Sequence, residues 1–97
     1  MRFEIELTDE AVADFKALKA SARSTVKEAM EVHLRYEPEK VSRSRIKRLR
    51  GVSEPQFRLR VGDIRVFYDV AEGTVTVHAI VPKSEAASWL AQFGKAG

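Results

Sequence analysis

Alternating and helically spaced apolar residues predict a strand and two helices in the first third of the chain. Over residues 3–7 apolar side chains alternate with charged ones, which is typical of a strand with one buried face. Thr8 is a preferred N-cap residue, and apolar residues at helical spacing predict a helix over 9–20 behind it. The pattern then predicts a break at 21–24 and a second helix over 24–36.

The second half of the chain predicts three strands joined by two tight turns. In three consecutive segments apolar residues alternate with polar ones, the pattern of half-buried strands. A glycine-containing dipeptide separates each segment from the next, as in two-residue hairpins. The predicted strands are 56–61, 64–70 and 74–81, and the predicted turns are Gly62-Asp63 and Glu72-Gly73.

The remaining segments predict a basic linker and a final helix. The apolar residues of 39–55 follow neither the spacing of a helix nor the alternation of a strand, so this segment is predicted to be a linker. Within it, Ile46 and Leu49 are three residues apart, a spacing that could anchor one short helical turn. Near the carboxyl end, Ser84 is predicted to cap a helix that Gly94 ends. The order β-α-α-β-β-β-α predicts an α+β fold, with a mainly antiparallel sheet packed on an N-terminal helical hairpin and with a C-terminal helix.

Length and composition narrow the classes of function. A chain of 97 residues is the size of one small domain, so we expect a single domain over 1–97. Cysteine is absent and the two histidines are 45 residues apart, so the sequence predicts no metal site and no cofactor. No apolar run approaches the roughly 18–20 residues of a membrane span, and the charged amino terminus is unlike a signal peptide. We therefore expect a cytoplasmic protein with no membrane partner.

Positive charge is concentrated in one window of the chain. Residues 40–65 contain nine basic and two acidic side chains, a net charge of +7, whereas the rest of the chain has a net charge of −4. A basic block on an otherwise acidic chain is typical of proteins that bind a polyanion, most often nucleic acid. Charge alone fits a solvated basic segment with no partner equally well.

The first predicted hairpin places like charges opposite each other. With a two-residue turn, Arg60 pairs with Arg65, and Arg58 pairs with Phe67 on the same face. Like charges directly across two strands destabilise a hairpin by about 0.2–1 kcal/mol. We therefore interpret this face as a phosphate-binding surface, the alternative being a plain solvent-exposed polar face.

Two further residues of this region have alternative positions. Phe67 either offers a stacking surface for a base or packs in the core beneath the terminal helix. A two-residue second turn pairs Phe67 with His78 and Arg65 with Ile80, whereas a three-residue turn would move His78 to the core side. The plainer interpretation of His78 is a solvated or partly packed strand residue.

The stretch from 49 to 70 resembles a known protein family. LRG at 49–51 and FRLRVGDIRVFYDV at 57–70 resemble the RelE/ParE superfamily of toxins from type II toxin–antitoxin modules. The RelE branch cleaves mRNA in the ribosomal A site, the ParE branch poisons DNA gyrase without being a nuclease, and a small antitoxin neutralises both. The resemblance implies a toxin of the predicted α+β fold, in the first interpretation a ribosome-dependent mRNA endoribonuclease and in the alternative a gyrase inhibitor.

The resemblance also implies roles for individual residues. The RelE pattern has basic residues before the turn, matched by Arg58 and Arg60, and an arginine after it, matched by Arg65. Lys83 stands where the pattern has a basic residue past the last strand, and Trp89 stands where it has a proton-transferring tyrosine. Together with the charge pattern, the resemblance predicts two sets of site residues. The predicted catalytic residues are Arg60, Arg65 and Lys83, and the predicted RNA-binding residues are Arg48, Arg50, Arg58, Arg60, Arg65 and Phe67.

Metal-free RNA cleavage through the 2′-hydroxyl requires a base, an acid and cations around the phosphorane. Arginine suits the last of these roles because it stays charged and binds phosphate oxygens bidentately. Lys83 and His78 are the candidates for the base. The expected partners are a cognate antitoxin and the ribosome with its mRNA, or alternatively DNA gyrase.

Overall fold

The computed structural model describes residues Met1–Gly97, and its element order confirms the predicted α+β fold. Three short strands, two in the predicted linker and one in the carboxyl-terminal tail, add to the predicted elements. None of the three helices combines the length and the apolar character that crossing a membrane requires. The elements are β1 (Glu4–Leu7), α1 (Asp9–Ala17), α2 (Ala20–Leu34), β2 (Ile46–Arg48), β3 (Val52–Glu54), β4 (Phe57–Val61), β5 (Ile64–Ala71), β6 (Thr74–Pro82), α3 (Lys83–Phe93) and β7 (Lys95–Ala96).

Five strands form one mixed sheet. The order across it is β1-β6-β5-β4-β2, with β1 parallel to β6 and every other pair of neighbours antiparallel. The predicted, mainly antiparallel sheet is therefore confirmed. A separate ladder joins β3 to β7 and ties the carboxyl-terminal tail back to the segment that precedes β4.

The sheet is packed on both of its faces. One face and the helices α1 and α2 enclose the larger core, in which Leu59, Val66 and Val77 are fully buried. The opposite face is partly covered by α3, which encloses a smaller cluster around Phe67 and Ala79. The predicted packing on the N-terminal helical hairpin is confirmed. Because α3 covers this second face, β5 has a run of consecutive buried residues, where a strand with one open face would expose every second one.

The boundary between the first two helices differs from the prediction. Thr8 caps α1 as predicted, since its side-chain oxygen accepts a hydrogen bond from the Ala11 backbone N–H. The break falls at Leu18 and Lys19, whose backbones are extended, and not at 21–24. Leu18 packs against the larger core, so the chain turns where an apolar anchor is available.

The predicted helical turn in the linker is wrong, because this segment adds a strand to the edge of the sheet. Ile46 lies in β2, pairs with Leu59 and is buried in the larger core. Leu49 packs instead against the cluster beneath α3. The edge of β4 offers a ladder of backbone hydrogen bonds, and a strand that occupies it sends these two apolar residues to opposite faces.

The last helix begins before its predicted cap. Lys83 is the first helical residue, Ser84 does not cap the helix, and Gly94 ends it as predicted. The Lys83 backbone N–H donates to the Asp63 backbone oxygen at 2.6 Å, which satisfies a helix-terminal donor without a side-chain cap. This bond also ties the start of α3 to the turn between β4 and β5.

A β-bulge at His78 changes the register of the second hairpin. Close to the turn the strand pairs are those predicted. Phe67 then pairs with Ala79, so its predicted pairing with His78, and that of Arg65 with Ile80, are wrong by one residue. His78 is the extra residue of the bulge, and the strand changes face after it so that Ala79 packs beneath α3.

Candidate functional site: a cluster of arginines

Three arginines lie together on the sheet face that α3 partly covers, and we call Arg58, Arg60 and Arg65 the arginine cluster. The first hairpin has the predicted register, in which Arg60 faces Arg65 and Arg58 faces Phe67. The predicted pairing of like charges across the two strands is therefore confirmed. Arg60 is exposed, Arg58 is half-buried and Arg65 is buried, so the cluster runs from the surface into the protein.

Arg65 is buried and holds the turn. Only 8% of this residue is exposed, and its Nη1 group donates to the backbone oxygens of Gly62 at 2.7 Å and Ile64 at 3.1 Å. These bonds keep the guanidinium beside the turn. Arg65 therefore supplies a stationary positive charge at one end of the cluster, and fixed charges are the kind that stabilise a transition state most effectively.

Arg58 is the least satisfied member of the cluster. Its Nε atom is buried and has no hydrogen-bond partner within the protein. Burial, and then the charges of Arg65 and Arg60, hold the pKa of Arg58 below its ordinary value. A buried donor without an acceptor typically costs about 1–3 kcal/mol. An anion bound to the cluster would offset the repulsion among the three charges.

The basic window has almost no acidic partners in the folded protein. The structure contains five ion pairs. Of the nine basic residues of 40–65, only Lys40 takes part in one, at 3.6 Å from Glu37. Arginine is rarely buried in proteins unless it is paired with an anion. The positive charge of the cluster is therefore not compensated by any acidic side chain within the protein.

Lys83 lies at the same end of the hairpin as Arg65. It is exposed, and its backbone hydrogen bond to Asp63 places it beside the turn that Arg65 holds. A shallow depression at this point is lined by Asp63, Pro82, Lys83 and Ser84. The structure thus brings the Lys83 backbone to the turn that Arg65 holds, although Lys83 and Arg65 are 18 residues apart in sequence.

The ring of Phe67 is closed off by α3. Phe67 is 1% exposed and stacks on Trp89, with ring centres 5.0 Å apart and planes inclined by 6°. Trp89 in turn contacts Phe93, at 5.5 Å between ring centres. Of the two interpretations of Phe67, the structure shows packing beneath the terminal helix, which leaves no open ring face for a base.

Two predicted RNA-binding residues lie away from the cluster. Arg48 pairs with Phe57 across β2 and β4, and its guanidinium lies 5.0 Å from the centre of the Phe57 ring on the other face of the sheet. Arg50 is exposed in the loop between β2 and β3. The predicted residues that the structure brings together are Arg58, Arg60, Arg65 and Lys83.

The structure also brings together three side chains that the sequence analysis did not connect. Ligand atoms of Glu54, Asp69 and His78 all lie within 4.8 Å of one another. Asp69 pairs with Thr76, so His78 is its diagonal neighbour across two strands, and the strand pattern contained this signal. Glu54 lies in the segment that was predicted to be a linker, and no pattern in the sequence pointed to it.

Arg60→Thr is expected to preserve or slightly raise stability while it lowers the toxicity that the family resemblance implies. Arg60 is exposed and repels Arg65 across the strands, and threonine suits a strand position. The melting temperature should stay within about 5 °C of wild type or rise, since 1 kcal/mol corresponds to roughly 4–8 °C in a domain of this size. Thermal melts and growth after induction measure the two effects. A large loss of stability would show that Arg60 has a structural partner and would contradict the anion-binding interpretation.

The chain matches a family of toxins. The model of the ParE toxin family, the toxins of type II toxin–antitoxin systems of the parDE type, matches residues 5–87. Among curated protein sequences, none matches the chain significantly.

Solved structures share the fold. A chain of the archaeal RelE–RelB complex from Pyrococcus horikoshii is 22% identical, with a TM-score of 0.70 over 86% of this chain and 97% of that one. The RelBE2 toxin–antitoxin complex from Mycobacterium tuberculosis has a chain with 24% identity and a TM-score of 0.67, over 84% and 99% of the two chains. The DinJ–YafQ toxin–antitoxin complex from E. coli has one with 17% identity and a TM-score of 0.65, over 90% and 97%. The family match spans most of the chain, which therefore belongs to the ParE toxin family, within the RelE/ParE superfamily of type II toxin–antitoxin toxins.

Proposed function

We propose that this toxin is a ribosome-dependent endoribonuclease that cleaves mRNA in the ribosomal A site. The observation that supports the proposal is the arginine cluster, which consists of three adjacent cations without an acidic partner. Phosphate oxygens are the acceptors that guanidinium groups bind bidentately. An RNA phosphate on the cluster would offset the repulsion among the three charges, which together with burial holds the pKa of Arg58 below its ordinary value.

In the proposed reaction the 2′-oxygen loses its proton to a base and bonds to the adjacent phosphorus, which forms a 2′,3′-cyclic phosphate, and the bond to the 5′-oxygen breaks as that oxygen takes a proton from water. The attack builds negative charge on the phosphorane oxygens, and fixed cations stabilise this charge in the transition state. Arg65, which the turn holds in place, has the geometry for that role. Lys83, exposed beside the same turn, is the candidate base for the 2′-hydroxyl, and the ribosome would orient the RNA.

One observation favours a second function, inhibition of DNA gyrase without cleavage of RNA. Trp89 occupies the position at which the RelE-type pattern has a proton-transferring tyrosine, and its ring lies flat against Phe67. An indole N–H is a donor only and does not titrate near neutral pH, so this position supplies no acid or base. In a gyrase inhibitor the arginine cluster would bind an anionic surface of the target, and no proton transfer would be needed.

We also propose that a small cognate antitoxin neutralises the toxin by covering the arginine cluster. The solved relatives described above are toxin–antitoxin complexes. The net charge of +7 over residues 40–65 is complementary to an acidic segment, and a disordered acidic segment can fold as it docks. Such a segment would occupy the site at which the phosphate is proposed to bind.

Primer-extension mapping of transcripts after induction tests the nuclease proposal. We expect new 5′ ends inside translated reading frames, and we expect them to disappear from a reporter transcript whose start codon has been removed. Lys83→Ala tests the proposed base in the same assay. The Lys83 side chain is exposed and forms no ion pair, so its removal should not disturb the fold. The variant should weaken cleavage without changing the melting temperature.

The same experiment separates the two functions. Intact transcripts in cells that the wild-type protein has fully arrested would contradict the nuclease proposal. DNA breaks in those cells would support gyrase inhibition. The breaks should then be absent from cells whose gyrase variant no longer binds the toxin.

A further inference from the structure

We propose that Glu54, Asp69 and His78 bind a divalent transition-metal ion of the Zn²⁺ class, at a site separate from the arginine cluster. Their ligand atoms lie within 4.8 Å of one another. One imidazole nitrogen and two carboxylates form a donor set that suits Zn²⁺. Ligand atoms around a tetrahedral Zn²⁺ at about 2.0–2.2 Å lie roughly 3.4 Å apart, so small side-chain rotations are enough to close the site.

The backbone already orients one of the proposed ligands. The Gln56 backbone N–H donates to Asp69 Oδ1 at 2.7 Å, which leaves Asp69 Oδ2 directed towards His78 Nε2 at 2.6 Å. The Gln56 side chain is itself fixed, since its Oε1 accepts a hydrogen bond from the Val70 backbone N–H at 2.9 Å. A ligand carboxylate whose second oxygen accepts an outer hydrogen bond is typical of metal sites in proteins.

Two of the three side chains, those of Glu54 and His78, border a groove that is open to solvent. The groove has a volume of about 470 Å³ and lies between α1, β6 and α3, with the rings of Trp89 and Phe93 in its wall. The side chains of His78 and Asp69 are 23% and 20% exposed, so an ion can reach them and keep a coordination position for water.

The charges around this groove favour a cation. His78 and four carboxylates line it, and it contains no lysine or arginine. A cleft whose charges share one sign raises the local concentration of the opposite ion. The carboxylates belong to Glu10, Asp14, Glu54 and Glu85.

Metal binding would replace two existing contacts. One is the hydrogen bond between His78 and Asp69, and the other is the ion pair between Glu54 and Lys95 at 3.6 Å. The second contact is weak, because Lys95 is 70% exposed and surface ion pairs contribute little to stability. The ion would join β3, β5 and β6, three strands of which the first is tied to the sheet only indirectly.

Titration of the tag-free, full-length protein with Zn²⁺ tests the proposal, by calorimetry and by thermal melts in a non-coordinating buffer. We expect one ion per chain. At a free Zn²⁺ concentration about 100 times the Kd, the melting temperature should rise by on the order of 10 °C. Co²⁺ should compete for the site and give visible absorption bands of nitrogen and oxygen coordination. No binding at millimolar Zn²⁺ would overturn the proposal.

The chain offers matched controls for each ligand type. It contains only two histidines, so His78→Ala should weaken Zn²⁺ binding by more than about 100-fold, whereas His33→Ala should leave it unchanged. Glu54→Gln, at a half-exposed position, should weaken binding without loss of the fold, whereas Glu85→Gln in the same groove should have little effect. Equal losses for Glu54→Gln and Glu85→Gln would show diffuse attraction of cations by the groove and would overturn the assigned ligands.

Discussion

Arg58→Met is expected to abolish toxicity while it makes the protein more stable. Methionine keeps the aliphatic volume of the side chain and removes a buried Nε donor that has no acceptor. It also removes one of three mutually repelling charges; burial, and then the charges of Arg65 and Arg60, hold the pKa of Arg58 below its ordinary value. Removal of an orphaned buried donor should raise the free energy of unfolding by about 1 kcal/mol. If the protein is a nuclease, cleavage should fall by about 10²–10³-fold.

The measurement combines thermal melts with growth after induction and, where transcripts are cut, the single-turnover cleavage rate. Lys27→Met is the matched control, because it removes the same charge from the exposed side of α2, away from the cluster. It should leave both stability and toxicity near those of wild type. A less stable Arg58→Met variant, or one that keeps full toxicity, would contradict an anion-binding role for Arg58.

Phe67→Ala is expected to produce the largest loss of stability among the aromatic residues of the face that α3 covers. Phe67 is 1% exposed and is packed against Trp89, so its truncation leaves a cavity between the sheet and α3. Replacement of a buried phenylalanine by alanine typically costs about 3–5 kcal/mol. The melting temperature should therefore fall by roughly 15 °C or more. Thermal or urea unfolding measures the loss.

Two comparisons separate packing from base stacking at this position. Phe93 is 56% exposed at the end of the same aromatic row, so Phe93→Ala should cost far less. Phe67→Leu keeps most of the buried volume and should cost less than about 1.5 kcal/mol, with toxicity preserved. Loss of toxicity in a stable Phe67→Leu variant would instead indicate that α3 moves aside and that the ring contacts a base.

The first hairpin could be predicted residue by residue because its register depends on local chemistry alone. A two-residue turn sets which residues pair, and the alternation of apolar side chains then sets which face is buried. The opposition of Arg60 and Arg65 follows from these two facts and is confirmed. The candidate phosphate site was therefore accessible from the sequence, since all three arginines lie within this hairpin.

The second hairpin and the linker could not be predicted in the same way, because both depend on residues far away in sequence. The bulge at His78 lets one strand supply Val77 to the larger core and Ala79 to the cluster beneath α3, a need that strand periodicity does not express. Ile46 forms a strand only because the edge of β4 is there to pair with it. Alternation within a segment is informative when one face is buried and becomes ambiguous when both are.

The proposed metal site beside the groove between α1, β6 and α3 could also be predicted only in part. We call this groove, which four carboxylates line, the acidic groove. The link between Asp69 and His78 was present in the strand pattern as a diagonal pair. The approach of Glu54 was not, because its position depends on the small ladder between β3 and β7, in which Glu54 pairs with Lys95. A ladder that joins two segments about 40 residues apart leaves no local signature in either of them.

The placement of α3 across one sheet face has a consequence for the kinetics of association. The strand order puts β4, with two members of the arginine cluster, on one side of β5, and β6, which borders the acidic groove, on the other. Basic charge on one side of β5 and acidic charge on the other separate the two signs across the sheet. A polyanion would therefore turn the approaching protein before contact, so that a larger fraction of encounters is productive, and added salt would slow this capture more than it would speed release.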